Sequence, residues 1–135
     1  MKKTIIIALF ASFFLASCSD EKAAEKKQMD AVIAIHDSVM ARTGTAMKYQ
    51  AELDSLYLKP NTDTLTRKTI ADLRGKLILA ESAMETWMHK FDPDFSGKQH
   101  ADIMNYLGEQ HKQIHRVDSL VNKAIADSKQ FLEAK

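Results

Sequence analysis

The sequence predicts an all-α protein, an elongated antiparallel three-helix bundle that runs up, down and up. Two observations carry that reading. Apolar residues recur at steps of three and four in three successive runs, with no period-two alternation, which is the pattern of helices packed along seams. Only four glycines and two prolines occur in 135 residues, too few for the turns of a sandwich or barrel. The length suits one compact domain. A composition 45% apolar and 27% charged argues against wholesale disorder. Nineteen basic side chains against eighteen acidic ones leave a net charge of +1, which is no footprint for nucleic acid.

The first element is an address rather than part of the bundle. Lys2 and Lys3 precede an uncharged run over 4–16 (TIIIALFASFFLA). As a helix that run rises about 20 Å, short of the roughly 30 Å hydrocarbon core of a bilayer. It therefore reads as a signal peptide over 1–17, not a permanent span. It ends in Leu15-Ala16-Ser17-Cys18, which resembles a bacterial lipobox. The resemblance implies acylation of the Cys18 thiol, cleavage just before it, and acylation of the new amine. A lone cysteine in an oxidising compartment has no disulfide partner, which favours this use of it. Several acyl chains on one residue satisfy the two-signal requirement for stable anchoring. Cleavage removes Lys2 and Lys3 and turns the net charge of +1 into −1, so the remainder has no electrostatic reason to lie on anionic lipid. A short tether is expected over 18–23. Its Ser19-Asp20-Glu21 resembles the export signal that carries some Bacteroidota lipoproteins to the cell surface.

The bundle itself is expected over 24–135, with helices near 24–58, 63–91 and 97–133. The first seam reads Val32, Ile35, Val39, Arg42, Ala46, Tyr49, Leu53 and Leu56, interrupted by Arg42. The second runs unbroken through Ile70, Leu73, Leu77, Ala80, Met84, Trp87 and Phe91. The third reads Ile103, Leu107, Gln110, Ile114, Val117, Val121, Ala124, Ser128 and Phe131. Lys59-Pro60-Asn61-Thr62-Asp63 stops the first helix and supplies N-cap candidates for the second. Phe91-Asp92-Pro93-Asp94 stops the second, and Ser96-Gly97-Lys98-Gln99 has capping-box spacing for the third. Short connections make neighbours antiparallel. Tight hairpins would set residue r of the first helix against roughly 120 − r, and residue r of the second against about 189 − r. Gly44 then lies level with Gly75, where a close approach or a kink is expected.

Catalytic signatures are absent from the sequence: there is no nucleophile elbow, HExxH, phosphate loop or CxxC. Asp92-Pro93-Asp94-Phe95-Ser96-Gly97 resembles the start of an EF-hand loop, but the twelfth position is Ile103 instead of a bidentate glutamate. The hairpin relations gather His36, Met84, Met88, His100 and Met104 near one end, with Met40, Trp87 and His89 beside them. Thioethers and imidazoles favour Cu(I), and the Trp87 ring can face a cation. His111 and His115, at i and i+4, form a second candidate, a clamp for a divalent metal. Core packing explains many of the same residues, since Met84, Trp87 and Phe91 sit on a seam and methionine commonly fills gaps. No cofactor is required.

His36-Asp37-Ser38-Val39-Met40, Ala83-Met84-Glu85-Thr86-Trp87-Met88-His89-Lys90-Phe91 and Tyr106-Leu107-Gly108-Glu109-Gln110 together resemble a group of small Bacteroidota lipoproteins. That group is labelled "viral A-type inclusion protein", a name taken from coiled-coil similarity. The resemblance covers roughly Met29 to Leu132, with Trp87, Phe91 and Leu107 inside its blocks. It implies an all-helical, membrane-tethered protein without known activity, and supplies no catalytic residue. The expected function is therefore non-enzymatic. It is a lipid-anchored bundle on the cell envelope, most simply at the outer membrane, that meets an envelope protein partner and binds no nucleic acid. The alternative is metal handling through the His/Met cluster.

Overall fold

A computed structural model describes residues 2–134, with side chains described from Asp20 onward; the Cys18 side chain, and with it the expected lipidation, lies outside the described residues. Among the described residues three helices make up the fold: α1 (Lys2–Tyr57), α2 (Thr64–Lys90) and α3 (His100–Glu133). No strand occurs among the described residues. Nor, among them, is any helix long and apolar enough to cross a membrane.

Cross-helix pairs fix the topology. Glu25 meets His100 and Arg42 meets Asp118, so α1 and α3 run parallel. Asp54 meets Arg74 and His36 meets Trp87, so α2 runs antiparallel to α1. Phe91 against Tyr106 and Lys76 against Asp127 make α2 antiparallel to α3 as well. The bundle is thus up-down-up, and α3 alone, with 34 residues, is about 50 Å long.

The seams form the core. All of Ile70, Leu73, Leu77, Ala80, Met84 and Trp87 are buried on α2. On α3, every seam residue from Ile103 to Ser128 is buried. Val32, Val39 and Leu53 are buried on α1, with Ile35, Ala46, Tyr49 and Leu56 packed against them. The seam interruption at Arg42 is a cross-helix pairing. Its guanidinium bonds Asp118 and Asn122 of α3 and also donates to the Ser38 carbonyl, 2.9 Å away.

Several boundaries differ from the sequence expectation, each for a local reason. The first helix does not begin at 24. It continues through the expected tether at 18–23, a stretch followed by Ala, Glu, Lys and Gln, all strong helix formers, with a Lys26–Asp30 pair at 2.6 Å. It also passes unbroken through Gly44. The close approach expected at Gly44 and Gly75 does not occur, because a Cβ at either would meet nothing within 4 Å. Asp63 caps α2 as its sequence position implies, accepting the Thr66 N–H at 2.9 Å and the Thr66 hydroxyl at 2.7 Å. The third helix starts at His100, not 97, and its N-cap is Gln99 without a side-chain bond. The Ser96 capping box does not form. Instead Asp94 N–H donates to Asp92 Oδ1 and Ser96 N–H to Asp94 Oδ1, each at 2.9 Å, and Gly97 turns the chain at φ 74°.

The register of α3 on α2 differs as well. Phe91 meets Tyr106, where the 189 − r relation would place it against residue 98. The first hairpin relation is off by less: His36 meets Trp87 instead of lying level with Met84.

Candidate functional site

The register shift divides the expected metal cluster. His100 sits at the start of α3 with its Nδ1 2.7 Å from Glu25 Oε1. Glu25 lies eleven residues before His36 on α1, which is about 16 Å along the axis. Met104 is half-buried one turn beyond His100 and stays at that lower level. His36, by contrast, has its Nδ1 2.9 Å from Asp37 Oδ1 and its ring 5.8 Å from that of Trp87. His89 is exposed, 3.8 Å from Glu85. No group of three or more His, Cys, Asp or Glu is placed to hold a metal among the described residues. His111 and His115 do come together, with ring centroids 4.6 Å apart, so two imidazoles share one face of α3.

The calcium-like loop closes on itself. Asp92 and Asp94 accept backbone N–H groups of their own turn, and Lys98 Nζ lies 3.4 Å from Asp92 Oδ2. Ile103, at the twelfth position, is buried in the core. These bonds hold Asp94 below the ordinary carboxylate range, chiefly through the Ser96 hydroxyl and N–H.

Two features emerge that the sequence pattern alone did not mark. The first is a ladder of rings at the end of the bundle where α2 turns into α3. Trp87 stacks on Phe91 at 4.9 Å, Phe91 on Tyr106 at 6.2 Å, and Phe95 meets Tyr106 edge-on at 6.0 Å. Lys98 Nζ lies 5.5 Å over the Phe95 ring, and Asp92 N–H donates to Tyr106 Oη at 2.7 Å. One turn before Phe91 on α2 comes Trp87, and one turn after Tyr106 on α3 comes Gln110. Trp87 Nε1 and Gln110 Oε1 are both buried without a hydrogen-bond partner among the described residues.

The second feature is a groove of about 370 Å³ between α1 and α2. Ala46, Ala80 and Ala124 line it, one from each seam, so methyl groups stand where Tyr49, Leu77, Met84 and Val121 put larger side chains at neighbouring seam positions. That loss of volume opens the α1–α2 side. Val39, Leu77 and Val121 complete the apolar floor, while Met40, Met47, Met84 and Met88 line the sides. Met84 is buried, but Met40, Met47 and Met88 are 41%, 60% and 41% exposed. Of the expected cluster, this groove brings together Met84 and Met88 and adds Met40 from across the cleft. His36, His100 and Met104 do not line it.

Scans against known protein families, curated proteins and solved structures find no match to this chain.

Proposed function

We propose that this chain is a non-enzymatic lipoprotein of the cell envelope, a helical bundle held to a membrane by lipid on Cys18, with a protein-interaction role. The observation that carries the interaction role is the open groove, an apolar cleft between α1 and α2 with three exposed methionines along its sides. The anchor rests on Leu15-Ala16-Ser17-Cys18 behind an uncharged run, and on the likeness to small Bacteroidota lipoproteins. An outer-membrane position, with export to the surface through Ser19-Asp20-Glu21, completes the proposal.

Fractionation of cells that carry the full chain tests it. The wild-type chain should sediment with the membranes, and Cys18→Ala should release it or leave an unprocessed precursor. Wild-type protein recovered wholly in the soluble fraction, or purified protein that turns over an envelope metabolite, contradicts the reading.

A second reading draws on the same groove. Met40, Met84 and Met88 bring three thioethers to one cleft, the donor type that selects Cu(I). It makes the protein a metal handler rather than a docking module.

A further inference from the structure

The α1–α2 groove is a trough along the bundle rather than a closed pocket. On α1 its lining extends from Val39 to Gln50, twelve residues spanning about 16 Å, the length of a three-turn helix. A pocket for a small ligand encloses most of the ligand's surface. Here Met47 is 60% exposed, so the trough lies open along its side. Methionine sides adapt to an incoming apolar ridge, as surfaces that receive amphipathic helices require.

Charge selects the occupant. The lining includes two carboxylates, Glu81 and Glu85, and no cation. Both are exposed on α2. Glu85 has only His89 near it, at 3.8 Å, and Glu81 enters no ion pair among the described residues. A second copy docking the same face in two-fold fashion would bring further Glu81 and Glu85 side chains to a groove whose lining holds no cation to receive them. Resting on the protein-interaction reading, we infer that the groove receives one amphipathic helix of a different protein. That helix lays an apolar stripe against the methionines and sets Lys or Arg over Glu81 and Glu85.

Site-specific photo-crosslinking in intact cells that carry the full chain tests this. The probe is p-benzoylphenylalanine at position 47 or 88 in the groove, and at 116 or 119 on the exposed face of α3. Positions 47 and 88 should each yield an adduct to one partner protein, mapped by mass spectrometry to a basic-flanked amphipathic helix. In the Glu81→Gln/Glu85→Gln variant, with its helicity unchanged by circular dichroism, the adduct should fall roughly threefold or more. Adducts to a second copy or to lipid, or a yield unchanged in the double variant, overturn the inference. Protein adducts from the α3 positions alone overturn the groove assignment and leave the interaction role standing. Protein adducts from neither face overturn both.

Discussion

Arg42 of α1 bonds Asp118 of α3 across the bundle, and each side chain is about three-quarters buried, at 27% and 24% exposure. The guanidinium stands where the first seam would otherwise carry an apolar residue. Two largely desolvated charges thus link α1 and α3 in parallel register.

Removing one partner should cost more than removing both. Asp118→Ala leaves the guanidinium with Asn122 and the Ser38 carbonyl, and is expected to lower stability by about 1–3 kcal/mol. Replacing the pair together, as Arg42→Met/Asp118→Leu, should recover much of that loss. Denaturant unfolding checks the order of the three proteins. A double variant less stable than Asp118→Ala would show that the pair contributes more than charge compensation.

The seams make a graded prediction. Leu77 and Ile114 are 3% and 0% exposed, and truncation of either to Ala is expected to cost about 2–5 kcal/mol. Gln110 lies on the same α3 seam, but its buried Oε1 accepts no hydrogen bond. Gln110→Met should therefore leave stability unchanged or raise it, because an unsatisfied acceptor is removed at similar volume. Thermal melts of the three variants decide this, and a large loss for Gln110→Met would reveal a partner for that oxygen.

Those seams were legible because burial repeats with the helix period. Each α2 and α3 position assigned to the core, from Ile70 to Trp87 and from Ile103 to Ser128, is buried. Register was not legible, since it depends on where a loop stops. Asp92 and Asp94 spend their carboxylates on turn N–H groups, Gly97 takes a positive φ, and α3 starts at His100. That shift of about two turns separates His100 from Trp87 and places Gln110 there. The groove was hidden for the same reason. Ala46, Ala80 and Ala124 each stood in a seam, but only the observed register lines one cleft with all three.

Acid should weaken the fold through carboxylates with depressed pKa values. The Lys76 hydrogen bond foremost, with Lys123, holds Asp127 below its ordinary value, and the Thr66 hydroxyl and N–H do the same for Asp63. For a lowered folded-state pKa, the stabilisation is present above the ordinary value of 3.8 and is lost as pH falls through the folded value. Melting temperature should be steady between about pH 7 and 5 and fall below about pH 4. In Asp127→Asn the acid loss should shrink. An equal acid loss in that variant would assign the effect to other carboxylates.

Titration with Cu(I) separates the docking and metal readings. The docking reading predicts no tight site, and little change in melting for Met84→Leu or Met88→Leu, swaps that usually cost under about 1.5 kcal/mol. The metal reading predicts binding near 1:1 with quenching of Trp87, weakened in both leucine variants while the fold survives. Sub-micromolar binding lost on Met→Leu would reverse the order of the two readings.

The anchor on Cys18 is read out by mass spectrometry of the N-terminal peptide of the protein purified from its own membranes. The chain should start at Cys18, with a diacylglyceryl group on sulfur and an acyl group on the amine. An unmodified Cys18, or an N-terminus at any other residue, would contradict the anchor and the envelope function built on it.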